Sequence, residues 1–110
     1  MPGSSCRVSV IIPVYNSAGT LARAAQSALR QTLSAMELLI VDDGSRDGSL
    51  AEACAISSDD SRARVIALPA NRGKPHAMNR AIGEANGEWV AVLDADDWYE
   101  PDRQIGRAHV

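Results

Sequence analysis

The chain of 110 residues contains no phenylalanine, and its only aromatic side chains are Tyr15, Trp89, Trp98 and Tyr99. A core without large rings has to be assembled from Val, Ile, Leu and the many alanines. Alanine-faced helices lie close against a sheet, which suits a layered α/β arrangement. Cysteine is scarce as well: Cys6 and Cys54 are too few for a disulfide framework and read as incidental thiols of a reducing compartment. No apolar run approaches the roughly 20 residues that cross a bilayer, and residues 1–6 are too short and polar for a secretion signal. Basic charge is not in excess either. Eleven Lys and Arg stand against fourteen Asp and Glu, a formal net charge of -3, so no nucleic-acid face is expected. The length allows one small domain that buries about two-thirds of its unfolded surface, and modest stability is the expectation.

What is present is an alternation of short apolar runs and helical patterns. Residues 7–13 (R-V-S-V-I-I-P) are β-branched and read as a buried strand. Residues 20–33 carry Leu21, Ala25, Ala28 and Leu29 at helical spacing, with Ser17 or Thr20 available as a cap. A second strand at 37–41 ends in Asp42-Asp43-Gly44-Ser45, and a weakly signalled helix follows at 49–57. A third strand is expected at 64–68 and a helix at 75–85, with Met78, Ile82 and Ala85 on its apolar stripe. Asn86-Gly87 offers a left-handed C-cap. A fourth strand at 88–93, with Trp89 in the core, breaks at Asp94-Ala95-Asp96-Asp97, and Pro101 opens a further helix. The order βαβαβαβ predicts an open, mostly parallel sheet joined by right-handed crossovers, with helices on both faces.

In such a sheet, ligands bind beyond the carboxyl ends of the strands. Strand one runs there into Pro13-Val14-Tyr15-Asn16, strand two into the first acidic pair, and strand four into D-A-D-D. One edge therefore gathers an aromatic ring and at least four carboxylates, which repel one another unless a cation is bound. In extended backbone, residues two apart project to the same side, so Asp94 and Asp96 converge while Asp97 points away. One or two carboxylates plus substrate phosphates is the usual setting for Mg2+ or Mn2+.

These stretches resemble the family 2 glycosyltransferases, whose catalytic domain has the GT-A fold. The likeness is carried by S-V-I-I-P-V-Y-N (9–16), L-I-V-D-D-G-S (39–45), N-R-G-K (71–74) with A-M-N-R-A-I-G (77–83), and A-N-G-E-W-V-A-V-L-D-A-D-D (85–97), in the expected order and spacing. The resemblance implies a GT-A, Rossmann-like sheet and inverting, metal-dependent transfer of a sugar from a nucleoside diphosphate to a hydroxyl. It implies that Tyr15 packs on the base beside Pro13 and Asn16, and that Asp42 accepts a hydrogen bond from the base. Arg72, Gly73 and Lys74 would lie near the donor. Asp94, with Ala95 after it, would meet the ribose side, and Asp96 would be the direct Mg2+ or Mn2+ ligand with Asp94 beside it. Trp98 and Tyr99 would shape the sugar pocket, and Asn79 would support packing.

The implied donor is a uridine diphosphate sugar, and the implied acceptor is a saccharide, lipid or other hydroxyl compound of cell-envelope polysaccharide synthesis. The implied location is cytoplasmic, at the inner membrane face in a longer parent. The family places its general base after the D-x-D segment, so the base is expected beyond the C-terminus. His76, at a helix start, is a poor candidate. Residues 7–103 are thus expected to be the donor-binding part of a domain. Residues 104–110 (Q-I-G-R-A-H-V) match one reading frame of a common sequencing adapter and are expected to be a non-native tail.

The alternative is a receiver-type phosphoacceptor domain, which also pairs an Asp-Asp with a later Asp around Mg2+. The strand with P-V-Y-N before the acidic pair, the D-x-D-D run and the lack of a downstream Lys count against it. A dinucleotide fold needs Gly-x-Gly-x-x-Gly after strand one, where Val14-Tyr15-Asn16-Ser17 stands instead.

Overall fold

The computed structural model describes residues 8–30 and 36–95. Seven elements follow one another: β1 (Val8–Val14), α1 (Leu21–Leu29), β2 (Met36–Asp42), α2 (Ser49–Asp59), β3 (Ala63–Ala67), α3 (Lys74–Glu84) and β4 (Trp89–Val92). The four strands form one parallel sheet in the order β3-β2-β1-β4. The expected helix after Pro101 and the tail 104–110 lie outside the described residues.

Side-chain alternation splits the sheet into two dry faces. Val10, Ile12, Val14, Leu38 and Ile40 pack under α1 and α2 with Leu21, Ala24, Ala25, Ala28 and Ala53. Ile11, Leu39, Val41, Ile66 and Leu68 pack under α3 with Ala77 and Ala81. The chain moves outward from β1 to β3, then returns past β1 to β4. Right-handed crossovers place the helices of opposite travel on opposite faces, as observed. The reversal lies between β1 and β4, where a crevice opens at the strand C-termini.

Four local expectations are corrected. The buried stripe of α3 is Ala77 and Ala81, with Met78 and Ala85 only partly covered and Ile82 49% exposed. The small Ala pair lets the helix approach the sheet, turning the larger side chains outward. Trp89 is not core but 46% exposed, at the start of β4, which ends the sheet among the described strands. The chain leaves α3 in extended geometry at Ala85 (φ -73, ψ 138), and neither Asn86 nor Gly87 has a positive φ. Gly87 answers a different need: a Cβ there would meet the backbone nitrogen of Ser9 at 2.6 Å. Finally, Thr20 takes the N-cap position of α1 without a side-chain bond, and the carbonyl of Ser17 accepts from Thr20 N and Leu21 N instead.

Candidate functional site

At the C-terminal ends of β1, β2 and β4 lies a cleft of about 560 Å³. Its wall includes seven of the sequence-predicted residues, Pro13, Tyr15, Asn16, Gly73, Lys74, Asp94 and Ala95, together with Val14, Asp43 and Asn71. Tyr15 is half exposed, so a flat apolar face is open to the cleft. Asn16 adopts a left-handed φ of 51, a conformation that Asn tolerates better than most residues. It is held there from both sides: Asn16 N donates to Ser45 Oγ (2.9 Å), and Asn16 Oδ1 accepts from Arg46 N (2.8 Å). Further along, Ser17 N donates to Ser49 Oγ (2.7 Å) and Ala18 N to Asp47 Oδ2 (3.2 Å). Hydrogen bonds from the Ser49 hydroxyl and backbone hold the Asp47 carboxyl below its ordinary range. The β1 and β2 loops are thereby fixed to each other.

The two acids that end β2 part company. Asp42 stands on the face of Leu38 and Ile40, so strand alternation sends its side chain inward, and it is 2% exposed. Its Oδ2 accepts from Ser45 N (3.1 Å), while Oδ1 has no partner. It is not among the residues that line the cleft. Asp43, one residue past the strand, does line the cleft. Its Oδ2 accepts from Asn71 Nδ2 and Gly73 N (both 2.9 Å), and Oδ1 from Arg72 N (3.0 Å). Gly44 makes this approach feasible. It has φ 72, and a Cβ would lie 2.5 Å from Asn71 N. Strand parity puts Asp43 on the α3 face with Leu39 and Val41, opposite Asp42, but its place in the cleft depends on the 71–73 turn.

Arg72 is exposed but absent from the wall, whereas Lys74 reaches across the cleft. Lys74 Nζ donates to Asp94 Oδ1 at 2.7 Å, with both side chains more than half exposed. An ion pair this open to water contributes little to stability, about 0–1 kcal/mol, so both groups remain available to a ligand. Asp96, Asp97, Trp98 and Tyr99 lie outside the described residues. Asp94 is thus the one expected metal donor in view, a hard carboxylate oxygen of the kind Mg2+ and Mn2+ accept. Among the described residues no group of three or more His, Cys, Asp or Glu is placed to hold an ion. The donor chemistry fits a cation held largely by substrate phosphates.

Comparison with known proteins bears on this arrangement. The sequence model described as "Glycosyl transferase family 2" matches residues 9–108. The chain is 48% identical over 96 residues to the succinoglycan biosynthesis protein ExoO of Rhizobium meliloti (strain 1021), covering 87% of this chain and 27% of that protein. Among solved structures, S. aureus TarS 1-349 in complex with UDP-GlcNAc superposes with TM-score 0.76 and 32% identity, over 84% of this chain and 27% of TarS 1-349. The mannosyltransferase PcManGT from Pyrobaculum calidifontis, in complex with GDP-Man and Mn2+, gives TM-score 0.80 and 29% identity over 87% and 29% of the two chains. The GT-A architecture expected from the motifs is thereby the fold observed. The chain spans between a quarter and a third of the length of each of these proteins.

Proposed function

The chain belongs to Glycosyl transferase family 2, and on that premise we propose that its strand-end cleft is the donor half of a sugar-transfer site. The donor is a nucleoside diphosphate sugar. One observation carries the reading: an open tyrosine face, an ammonium group and a carboxylate, Tyr15, Lys74 and Asp94, converge on one cleft at the reversal of strand order. The volume suits a nucleotide, since ligand pockets run from about 300 to 1,000 Å³.

Each residue then has a physical task. Tyr15 offers its ring to the base, with Pro13 and Asn16 forming the adjoining wall. Lys74 supplies positive charge to the diphosphate, exchanging its hydrogen bond with Asp94 for one with phosphate. Asp94, freed by that exchange, faces the ribose and, with Asp96, would hold Mg2+ or Mn2+. The ion, when bound, would offset charge that grows on the departing diphosphate. Asp42, buried behind the wall, holds the Ser45 turn rather than the base. Uridine is the first choice of nucleoside, supported by the UDP-GlcNAc complex of TarS. The GDP-Man and Mn2+ complex of PcManGT supports both a nucleotide sugar and a divalent ion.

Transfer is taken to be inverting, by direct attack of an acceptor hydroxyl on the anomeric carbon, which requires a general base beside the acceptor. His76 is exposed on the first turn of α3 and does not line the cleft. The base is assigned to a later part of a longer parent. Similarity to a succinoglycan biosynthesis protein favours polysaccharide assembly as the process served, with donors drawn from the cytoplasm. No described helix is long and apolar enough to cross a membrane. The receiver alternative has no support in the cleft, because Asp42 is buried and the Asp43 oxygens are occupied by the 71–73 turn.

Calorimetric titration with uridine diphosphate, with and without Mn2+, tests the proposal. Binding should tighten clearly with the ion, and Asp96→Ala should weaken the diphosphate far more than uridine. Equal affinity with and without Mn2+ would remove the ion from the site. No binding of any nucleoside diphosphate would end the reading.

A further inference from the structure

We infer that Asp43 is a positioning residue that sets the Asn71–Gly73 turn and, through it, the place of Lys74 on the cleft; the inference rests on the donor-site reading above. The carboxylate is 3% exposed and accepts three hydrogen bonds from three successive residues: the Asn71 amide group, Arg72 N and Gly73 N. The Asn71 amide also donates to the Asp43 carbonyl at 3.3 Å. Asp43 N itself donates to Val14 O at 2.8 Å, so the anchor is tied to β1 as well as β2.

The consequences run along the chain. Gly73, held through its N–H, has φ 101, and this fixes the direction in which α3 leaves the turn. Lys74 is the first residue of α3, and its ammonium arrives 2.7 Å from Asp94 Oδ1. Three strand ends are thereby coupled, β2 through Asp43, β1 through Val14, and β4 through Asp94. The same bonds determine how an anion is held. In a phosphate-binding loop, free backbone N–H groups face the ligand. Here the N–H groups of Arg72 and Gly73 point at Asp43, Pro75 has none, and Ala77 N donates to Gly73 O. With the Arg72 and Gly73 N–H groups committed to Asp43, the Lys74 side chain is the group that the turn extends across the cleft toward the diphosphate.

The test uses backbone amide NMR of the full chain without nucleotide, followed by titration with uridine diphosphate. In Asp43→Asn, an NH2 group replaces an acceptor, and amide exchange at Arg72 and Gly73 should rise about tenfold or more, with Ile11 and Leu39 unchanged. Diphosphate affinity should fall about tenfold. Lys74→Met should lower diphosphate affinity similarly while leaving exchange at Arg72 and Gly73 as it was. Should Asp43→Asn not fold, Asn71→Ala, which removes one of the three donors, decides the matter through faster exchange at Arg72 and Gly73. Exchange and affinity that ignore Asp43→Asn, or exchange that ignores Asn71→Ala where the first variant does not fold, would overturn the inference. If the unaltered chain binds no diphosphate, the donor-site reading fails, and the exchange measurements alone decide the role of Asp43.

Discussion

At Asp42 and Asp43, both buried, a single step along the chain separates a side chain behind the cleft from one on its wall. The adjacent acids look interchangeable in a string of letters, yet strand alternation carries the first under α1 and α2 and leaves the second at the site. Asp42→Asn should therefore leave affinity for uridine diphosphate within about twofold, while lowering stability by about 1 kcal/mol, because a charged acceptor for Ser45 N is lost. Titration calorimetry and denaturant unfolding separate the two effects. A tenfold loss of affinity would return Asp42 to the base. Gly44 is a backbone requirement of the same corner. Gly44→Ala should cost roughly 1–3 kcal/mol or more, since a positive φ and a 2.5 Å approach to Asn71 N both oppose a side chain. Urea midpoints read this directly.

The element that sets the opposite end of the sheet is the turn from α3 into β4. Ser9 Oγ donates to Glu37 Oε2 (2.6 Å) and accepts from Gly87 N (2.8 Å), and Glu37 Oε2 also accepts from Asn86 N (2.6 Å). Arg64 reaches both Glu37 and the Glu84 carbonyl. Burial alone would raise the Glu37 pKa, but hydrogen bonds from Ser9 and Asn86, with the Arg64 charge, leave it below its ordinary value of 4.5. A depressed carboxyl stabilises the fold above its unfolded value and loses that contribution as pH falls through its folded value. The stability gap between the unaltered protein and Glu37→Gln should thus be widest near pH 7 and close as pH drops below about 4.5. Asp60 extends the acid limb further. Hydrogen bonds from the Arg62 guanidinium take it from 3.8 to about 2. Guanidinium unfolding at a series of pH values checks both. In the same segment, Gly87→Ala should destabilise by about 1–3 kcal/mol, as the Ser9 backbone blocks a Cβ. Gly83→Ala, with open space and a helical position, should stabilise by up to about 1 kcal/mol. An opposite order would mean that α3 does not meet β4 as described.

For the whole molecule, most of the architecture was legible in the sequence because apolar runs and turn residues mark it twice over. Four β-rich runs separated by helical patterns already imply a parallel sheet, and its C-terminal edge locates the cleft without any contact being known. What escaped reading depends on approach distances that no spacing encodes. Ala81, not Ile82, meets the sheet because the helix lies close, Gly87 serves a neighbouring strand rather than a cap, and Trp89 is uncovered because its strand ends the described sheet. The role of Asp43 was hidden for a related reason, since its three partners lie 28 to 30 residues away. The central claim is that the strand-end cleft, and no other surface, takes a nucleoside diphosphate. Amide NMR with uridine diphosphate and Mg2+ tests it most directly. The account predicts saturable shifts at Tyr15, Asn16, Asp43, Gly73, Lys74 and Asp94, with Ser9, Glu37, Arg64 and Gly87 at the far end unmoved. Shifts confined to that far end, or none at saturating ligand, would contradict it.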